Sequence, residues 1–333
     1  MILKNTNVKI ISLFIINFNR LDKEKNTMQK RQLSNLQNEI IRIKKEKNIL
    51  LLVHNYISSE IQDVGDFCGD TLEISKKASC LNYDTIMVCG VRFMAETVKI
   101  LSPNKTVLIP AQDAICPMVN MIDINSLNKI KEQHPKAIIV CYVNSNLETK
   151  INSDICCTSS NAKSIINSIP KDTEIIFIPD KNLGQNIANE VNRKNIITLD
   201  GYCPIHNDIT QKMIIDKKKQ YPNALVLVHP ECTPEVVKLS DIVASTGKMI
   251  DLVKKINNNI IIVATELGIT YRLKNENPDK KIIPISENSI CHDMKKINID
   301  SVLESLNKIQ YEITIEKKII ELVRKPMLNM LKY

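Results

Sequence analysis

The chain has 333 residues, 44% of them apolar and 25% charged, which suits a globular protein of two or three domains and excludes a disordered one. Its formal net charge of +8 favours anionic partners, but only 4% of residues are aromatic and no basic run is interleaved with aromatics, so a nucleic-acid partner is not expected. Ten cysteines in a chain this long, without a convincing secretory signal, suggest metal-binding or catalytic thiols in a reducing compartment, not a disulfide scaffold.

Residues 1–28 stand apart. The apolar run Ile10 to Phe18 is too short for a membrane span, lacks a small-residue cleavage site and is not rich in Arg and Ser. It reads as a poorly ordered extension, or as a stretch upstream of a start at Met28, in preference to a targeting segment. No membrane partner is expected. Leu33, Leu36, Ile40 and Ile43 recur at three or four residues and predict an amphipathic helix over 29–47. Short apolar runs follow at 49–53, 85–88, 106–109, 137–143, 174–178, 195–199, 224–228, 241–244, 260–264 and 281–285. Many are continuous β-branched runs, as in strands buried on both faces of a parallel sheet, and helical stretches lie between them. The pattern is that of an α/β protein.

A repeat of about 88 residues organises these elements. It aligns Val53-His54-Asn55-Tyr56 with Cys141-Tyr142-Val143-Asn144 and Val228-His229-Pro230-Glu231. Glu60, Glu148 and Glu235 then coincide, as do Asp66, Asp154 and Asp241, and Thr71, Ser159 and Thr246. Pro103-Asn104-Lys105 matches Pro278-Asp279-Lys280, with Asn192-Arg193 in the middle copy. The expected architecture is three pseudo-equivalent α/β/α domains with parallel sheets, over 29–136, 137–223 and 224–333, the last carrying C-terminal helices. A pseudo-threefold axis would bring equivalent strand ends to one place, and ligands of open parallel sheets bind at such ends.

The same period carries Cys116, Cys203 and Cys291, separated by 87 and 88 residues (203 − 116 and 291 − 203). Three converging thiolates suit zinc with an open position, or a four-iron cluster with one iron left free. A single cysteine is more often a small buried hydrophobe; three in register reverse that expectation. The other seven cysteines read as packing residues. Thr71, Ser159 and Thr246 each precede a predicted helix, as an N-cap does, and three such ends facing one axis suggest a pocket for phosphate and carboxylates. His54, His206 and His229 lie at predicted strand ends or near the cysteines, and His229 with Glu231 in His-Pro-Glu suits proton transfer. His134 receives no role and His292 none that is defined.

From residue 29 to the C-terminus the chain resembles the quinolinate synthase family. The resemblance rests on Glu60-Ile61-Gln62-Asp63, Gly90-Val91-Arg92-Phe93-Met94-Ala95-Glu96-Thr97, Cys116-Pro117-Met118, Tyr142-Val143-Asn144 and Asp154-Ile155-Cys156-Cys157-Thr158-Ser159-Ser160-Asn161. It continues through Pro179-Asp180-Lys181-Asn182-Leu183-Gly184, Gly201-Tyr202-Cys203, His229-Pro230-Glu231-Cys232 and Met294-Lys295-Lys296. It implies condensation of iminoaspartate with dihydroxyacetone phosphate to quinolinate in NAD biosynthesis, with release of phosphate and water. It also implies a 4Fe-4S cluster on Cys116, Cys203 and Cys291, whose open iron acts as a Lewis acid. Under it, His54, Thr71, Ser159, His229 and Thr246 would hold carboxylate and phosphate groups, Tyr142 and Asn144 would orient the intermediate, Tyr56 would line the pocket, Glu231 would be a general base, and His206 would lie near the cluster.

Ile115 stands where the family usually has Gly, and Cys291-His292-Asp293-Met294 where it usually has Cys-Pro-Asn-Met. Asn288 precludes the CxxC pair of some members, so no thiol switch is expected there. An aspartate-oxidising enzyme is the implied source of iminoaspartate and a transient partner. The compartment implied is the cytoplasm, with plastid stroma as the alternative. Two other readings stay open on the residues alone: an open-iron hydro-lyase, and a zinc-stabilised binding protein without catalysis.

Overall fold

A computed structural model describes residues 33–333. The expected extension at 1–28 and the first residues of the predicted helix over 29–47 lie outside them. The helix itself, α1, runs Asn35–Glu46. Ser34 opens it by accepting the Gln37 N–H at 3.2 Å, while the Gln37 side chain accepts the Ser34 N–H at 2.9 Å.

The first unit contains β1 (Ile49–His54), α2 (Ser59–Val64), β2 (Phe67–Gly69), α3 (Thr71–Cys80), β3 (Thr85–Cys89), α4 (Arg92–Leu101) and β4 (Thr106–Leu108). A 3-10 turn at Pro117–Asn120 and α5 (Ile124–Gln133) lead on. The second has β5 (Ile138–Tyr142), α6 (Leu147–Ile151), β6 (Ile155–Cys157), α7 (Ala162–Ser168), β7 (Ile175–Ile178), α8 (Lys181–Glu190) and β8 (Ile196–Thr198), then α9 (Pro204–Asn207) and α10 (Gln211–Gln220). The third has β9 (Leu225–Val228), α11 (Pro234–Val237), β10 (Ile242–Val243), α12 (Thr246–Val253), β11 (Ile260–Ala264), α13 (Ile269–Glu276) and β12 (Lys281–Pro284). The chain closes with α14 (His292–Lys295), α15 (Ile299–Lys308) and α16 (Lys317–Met330).

Three four-stranded sheets result, with orders β2-β1-β3-β4, β6-β5-β7-β8 and β10-β9-β11-β12. All pairings within them are parallel. The order is the same in each unit, so the repeat in sequence is a repeat in topology. All six residues of β1 are buried, which is why its pattern shows no alternation. Each of the ten predicted runs forms a strand. The short edge strands β2 and β6 were not predicted. Each has three residues and little apolar contrast, yet shifting the predicted third-unit run back by one and two repeats marks both.

Two devices recur in all three units. Asp66, Asp154 and Asp241 each accept a first-strand N–H, from Leu51 (2.8 Å), Ile139 (2.8 Å) and Val226 (2.7 Å). Each thereby ties its edge strand to the centre of the sheet. At the other aligned position, cations cover the carbonyls that α3, α7 and α12 leave without helical partners. Lys105 bonds Ala78 O (2.8 Å) and Leu81 O (2.5 Å), and Lys280 bonds Val253 O and Ile256 O. Arg193 bonds the carbonyls of Ile166, Ile169, Pro170 and Thr173. The aligned Glu60, Glu148 and Glu235 sit in the first turns of α2, α6 and α11, where a carboxylate complements the helix dipole.

The C-terminal helices fold back over the earlier units. α15 packs on α1, and α16 packs on β6, α6 and α4. The Asn161 side chain donates to Met330 O at 2.9 Å, and Leu108 forms an antiparallel bridge with Glu312.

Candidate active site

The three units meet around a cavity with about 690 Å³ of empty space, part of it open to solvent. Every residue singled out from the sequence lines it: His54, Tyr56, Thr71, Cys116, Tyr142, Asn144, Ser159, Cys203, His206, His229, Glu231, Thr246 and Cys291. Strand ends explain the convergence. His54 closes β1, Tyr142 closes β5, and His229 follows β9 directly.

The two aligned imidazoles are held alike. His54 Nδ1 accepts the Tyr56 N–H at 3.2 Å, and His229 Nδ1 accepts the Glu231 N–H at 3.4 Å. A ring nitrogen that accepts carries no proton, so each ring's proton sits on Nε2. Burial, with Lys295 near His54 and His206 near His229, pushes both imidazoles down to about 3. At neutral pH both are uncharged Nε2–H donors.

Glu231 is the hub. It is 3% exposed; the Tyr142 hydroxyl donates to Oε1, and His206 Nδ1 lies 2.8 Å from Oε2. Burial alone would raise this carboxyl, but His206 foremost, then His229 and the Tyr142 hydrogen bond, outweigh it and hold the group below its ordinary value. It is therefore a carboxylate at neutral pH. Burial and the nearby Glu231 charge push the Tyr142 and Tyr56 hydroxyls well up, so both are proton donors. His206 stacks on His229 with centroids 4.3 Å apart, and its Nε2 lies 2.8 Å from Thr265 Oγ1. Thr265, missed in the sequence, also meets the Tyr56 hydroxyl at 2.6 Å, completing a chain from Tyr56 to Glu231. The other two units have Gly90 and Pro179 at the equivalent position, neither with a hydroxyl, so no periodic signal marks it.

The hydroxyl positions need correcting. The N-caps of α3, α7 and α12 are Asp70, Asn161 and Ser245, not Thr71, Ser159 and Thr246. Asp70 takes the cap because its carboxylate accepts the Glu73 N–H at 2.9 Å, and Asn161 Oδ1 accepts the Thr158 N–H at 2.8 Å. Thr71 and Thr246 become first helical residues, and Ser159 lies in the turn before α7. Their side chains are thus spared from capping and remain on the cavity wall. The starts of these helices are knitted together: Ser160 donates to Asp70, its Oγ lies 2.8 Å from Ser245 Oγ, and Asn55 donates to Thr246 (3.2 Å).

Cys116, Cys203 and Cys291 each precede one helical turn, at Pro117–Asn120, α9 and α14. Burial pushes Cys116 up to about 12 and raises Cys203 and Cys291 as well, while backbone N–H groups of Met118, His206 and Met294 act in the opposite direction. Cys203, His206 and Glu231 offer ligand atoms within 4.8 Å of one another, so a cysteine-containing set that could hold a metal is present.

Three repeated α/β units that meet at a cavity of buried imidazoles, thiols and a tyrosine–carboxylate pair define an enzyme acting on a small molecule. The model of quinolinate synthetase A protein, NadA, matches residues 38–332. A quinolinate synthase of Alkaliphilus metalliredigens is 45% identical over 298 residues, covering 90% of this chain and 98% of the relative. Those of Thermodesulfovibrio yellowstonii (46% over 281 residues, 84% and 92%) and Methanoregula boonei (44% over 296 residues, 89% and 97%) are comparable. The chain belongs to the quinolinate synthase family, enzymes of NAD biosynthesis.

Proposed function

We propose that the cavity condenses iminoaspartate with dihydroxyacetone phosphate, closing a pyridine ring with loss of phosphate and water. The observation that carries this reading is the Tyr142–Glu231 pair, which joins two units across the cavity and has neutral imidazoles beside it. The uncharged His54 and His229 would donate Nε2–H to substrate carboxylates. Thr71, Ser159 and Thr246 would bind anionic oxygens near the helix starts. Asn144 and Tyr142 would orient the ring-forming intermediate. Glu231, ionised and bonded to a phenol, would take a carbon- or nitrogen-bound proton directly or through Tyr142. Tyr56, held by Thr265, would wall the pocket, and His206 would fix the Glu231 carboxylate.

Cys116, Cys203 and Cys291 are assigned as ligands of a 4Fe-4S cluster. The three are half-buried thiols on the cavity wall, raised toward their protonated forms, and a metal centre would supply the positive charge that draws out their thiolates. Bound there, the cluster would offer an iron with an open position as a Lewis acid. Zinc on Cys203, His206 and Glu231 is the second reading, favoured by their closeness, though the His206–Glu231 contact already accounts for most of that.

The three units are assigned to 29–136, 137–223 and 224–333. An aspartate-oxidising enzyme is the proposed supplier of iminoaspartate. Ten cysteines in a chain of this length suit a reducing compartment, and the cytoplasm is proposed ahead of plastid stroma. No helix among the described residues is long and apolar enough to cross a membrane.

The test is anaerobic reconstitution with iron and sulfide, followed by both substrates and mass detection of quinolinate. Iron-dependent quinolinate is expected. Turnover of a citrate-like hydroxy acid instead would move the assignment to a hydro-lyase, and a colourless protein holding zinc without sulfide would move it to the zinc reading.

A further inference from the structure

Two buried carboxylates with no role above occupy equivalent places. Asp180 stands two residues past the end of β7, and Glu266 two residues past the end of β11. They are 0% and 1% exposed. Each divides its oxygens in the same way. One Asp180 oxygen accepts the Leu183 N–H in the first turn of α8 (2.8 Å), and the other accepts the Cys203 N–H (3.2 Å). Glu266 Oε2 accepts the Gly268 N–H at the entry to α13 (2.6 Å). Its Oε1 accepts the Cys291 N–H (3.2 Å) and pairs with Lys295 Nζ (2.9 Å). Lys295 lies on α14, the turn that begins at Cys291, so the same carboxylate grips both ends of that turn.

The first unit breaks the pattern. Two residues past β3 stands Val91, whose side chain accepts nothing. The loop to Cys116 is joined there by backbone alone, with the Arg92 N–H donating to Ala114 O at 2.8 Å, and Ile115 is 42% exposed. Two N–H groups held by one buried carboxyl fix a loop against its sheet, because neither donor has water to turn to if the acceptor is lost.

We propose that Asp180 and Glu266 are positioning residues that clasp the Cys203 and Cys291 backbones to their own sheets, leaving Cys116 on the compliant loop of the three. Its consequence for iron rests on the ligand assignment above; the clasp itself does not. The two carboxylates set where two ligands stand before any metal arrives, and the third ligand adapts.

The clasp is read by hydrogen exchange on the full-length chain without metal, kept anaerobic and reduced. The Cys203 and Cys291 amides are expected to exchange at least about tenfold more slowly than that of Cys116. Asp180→Asn retains an oxygen for the Leu183 N–H and is expected to speed exchange about tenfold at Cys203 but not at Cys291; Glu266→Gln does the reverse. Unchanged exchange in both variants overturns the proposal. So does a rise spread evenly along the chain, which marks general support of the fold. The consequence is read on anaerobically reconstituted chains. A chelator is expected to strip iron about tenfold faster from either variant, with an altered electron paramagnetic resonance line shape after reduction. Glu190→Gln, on the exposed end of α8, matches wild type in both. A wild-type chain that takes up no iron but keeps the loop-specific exchange upholds the clasp and removes the cluster reading.

Discussion

The outer parts of the three units and their inner ends, where they meet, repeat to different degrees. Outside, the chemistry is nearly identical three times over. Asp66, Asp154 and Asp241 make the same bond to the same strand, and Lys105, Arg193 and Lys280 cover the same helix ends. Inside, several aligned residues diverge: Tyr142 stands where the other two units have His54 and His229, and Asp70, Thr158 and Ser245 all differ. Each unit faces the same backbone problem and solves it alike. A small molecule without threefold symmetry presents different atoms to each unit, so identical side chains would serve it badly. Cys116, Cys203 and Cys291 repeat without change, which suits the shared ligand role proposed for them, and the hydroxyls of Thr71, Ser159 and Thr246 repeat as well. Repetition thus marks support in the outer parts, and broken repetition marks recognition at the junction.

Breaking the inner set should cost activity and not the fold. Cys203→Ala is expected to abolish iron uptake and lower quinolinate formation by at least about a thousandfold, with an unchanged circular dichroism spectrum. Cys80→Ala, at an exposed cysteine outside the repeat set, is expected to keep both. Full activity in Cys203→Ala would remove it from the ligands. Breaking the outer set should do the opposite. Arg193→Met takes the cation from four carbonyls, of which Ile166, Pro170 and Thr173 keep another donor, and is expected to cost about 2–3 kcal/mol in urea unfolding; Lys105→Met, with two carbonyls, about half as much. The folded fraction of either variant should keep the wild-type kcat. A kcat loss without a stability loss would erase the distinction between the two regions.

The smallest effect lies at the boundary. Burial and the neighbouring Asp70 raise Glu73 from 4.5 to about 7. The folded chain therefore keeps this proton at a pH where the unfolded chain has released it. The resulting stability is full below about pH 4.5 and is lost as pH rises to about 7. Glu73→Gln still offers an oxygen to the Asp70 N–H, which Glu73 accepts at 2.8 Å, and removes the titration. It is expected to be about 1–2 kcal/mol more stable than wild type at pH 8, with the gain gone by pH 4, in paired thermal melts. A gain independent of pH would contradict the shifted carboxyl.

The sequence made the long apolar strands and the period readable, because burial on both faces writes continuous runs such as Leu50-Leu51-Leu52-Val53. It hid β2 and β6, whose three residues owe their extended form to Asp66, Asp154 and a neighbouring strand. The cavity residues were readable because they sit in register at strand ends. The caps were misplaced by one or two residues: a hydroxyl run such as Thr158-Ser159-Ser160 offers several candidates, yet the cap is Asn161, whose side chain accepts the Thr158 N–H. Asp180 lay inside a recognised segment yet had no visible task. Its partner is 23 residues away, and for Glu266 the distance is 25. Such pairings are decided by three-dimensional closeness and leave no periodic trace.

The placement of α16 has a consequence for synthesis. This helix rests on β6, α6 and α4, and the carbonyl of Met330 receives the Asn161 side chain that organises the turn around Ser159. During translation Cys116 and Cys203 emerge long before that support exists, and Cys291 emerges only some forty residues ahead of the end of the chain. A nascent chain on the ribosome therefore has thiols without a finished chamber. A chain cut short before α16 lacks the support of the turn around Ser159 and is expected to be digested by protease faster than the full chain.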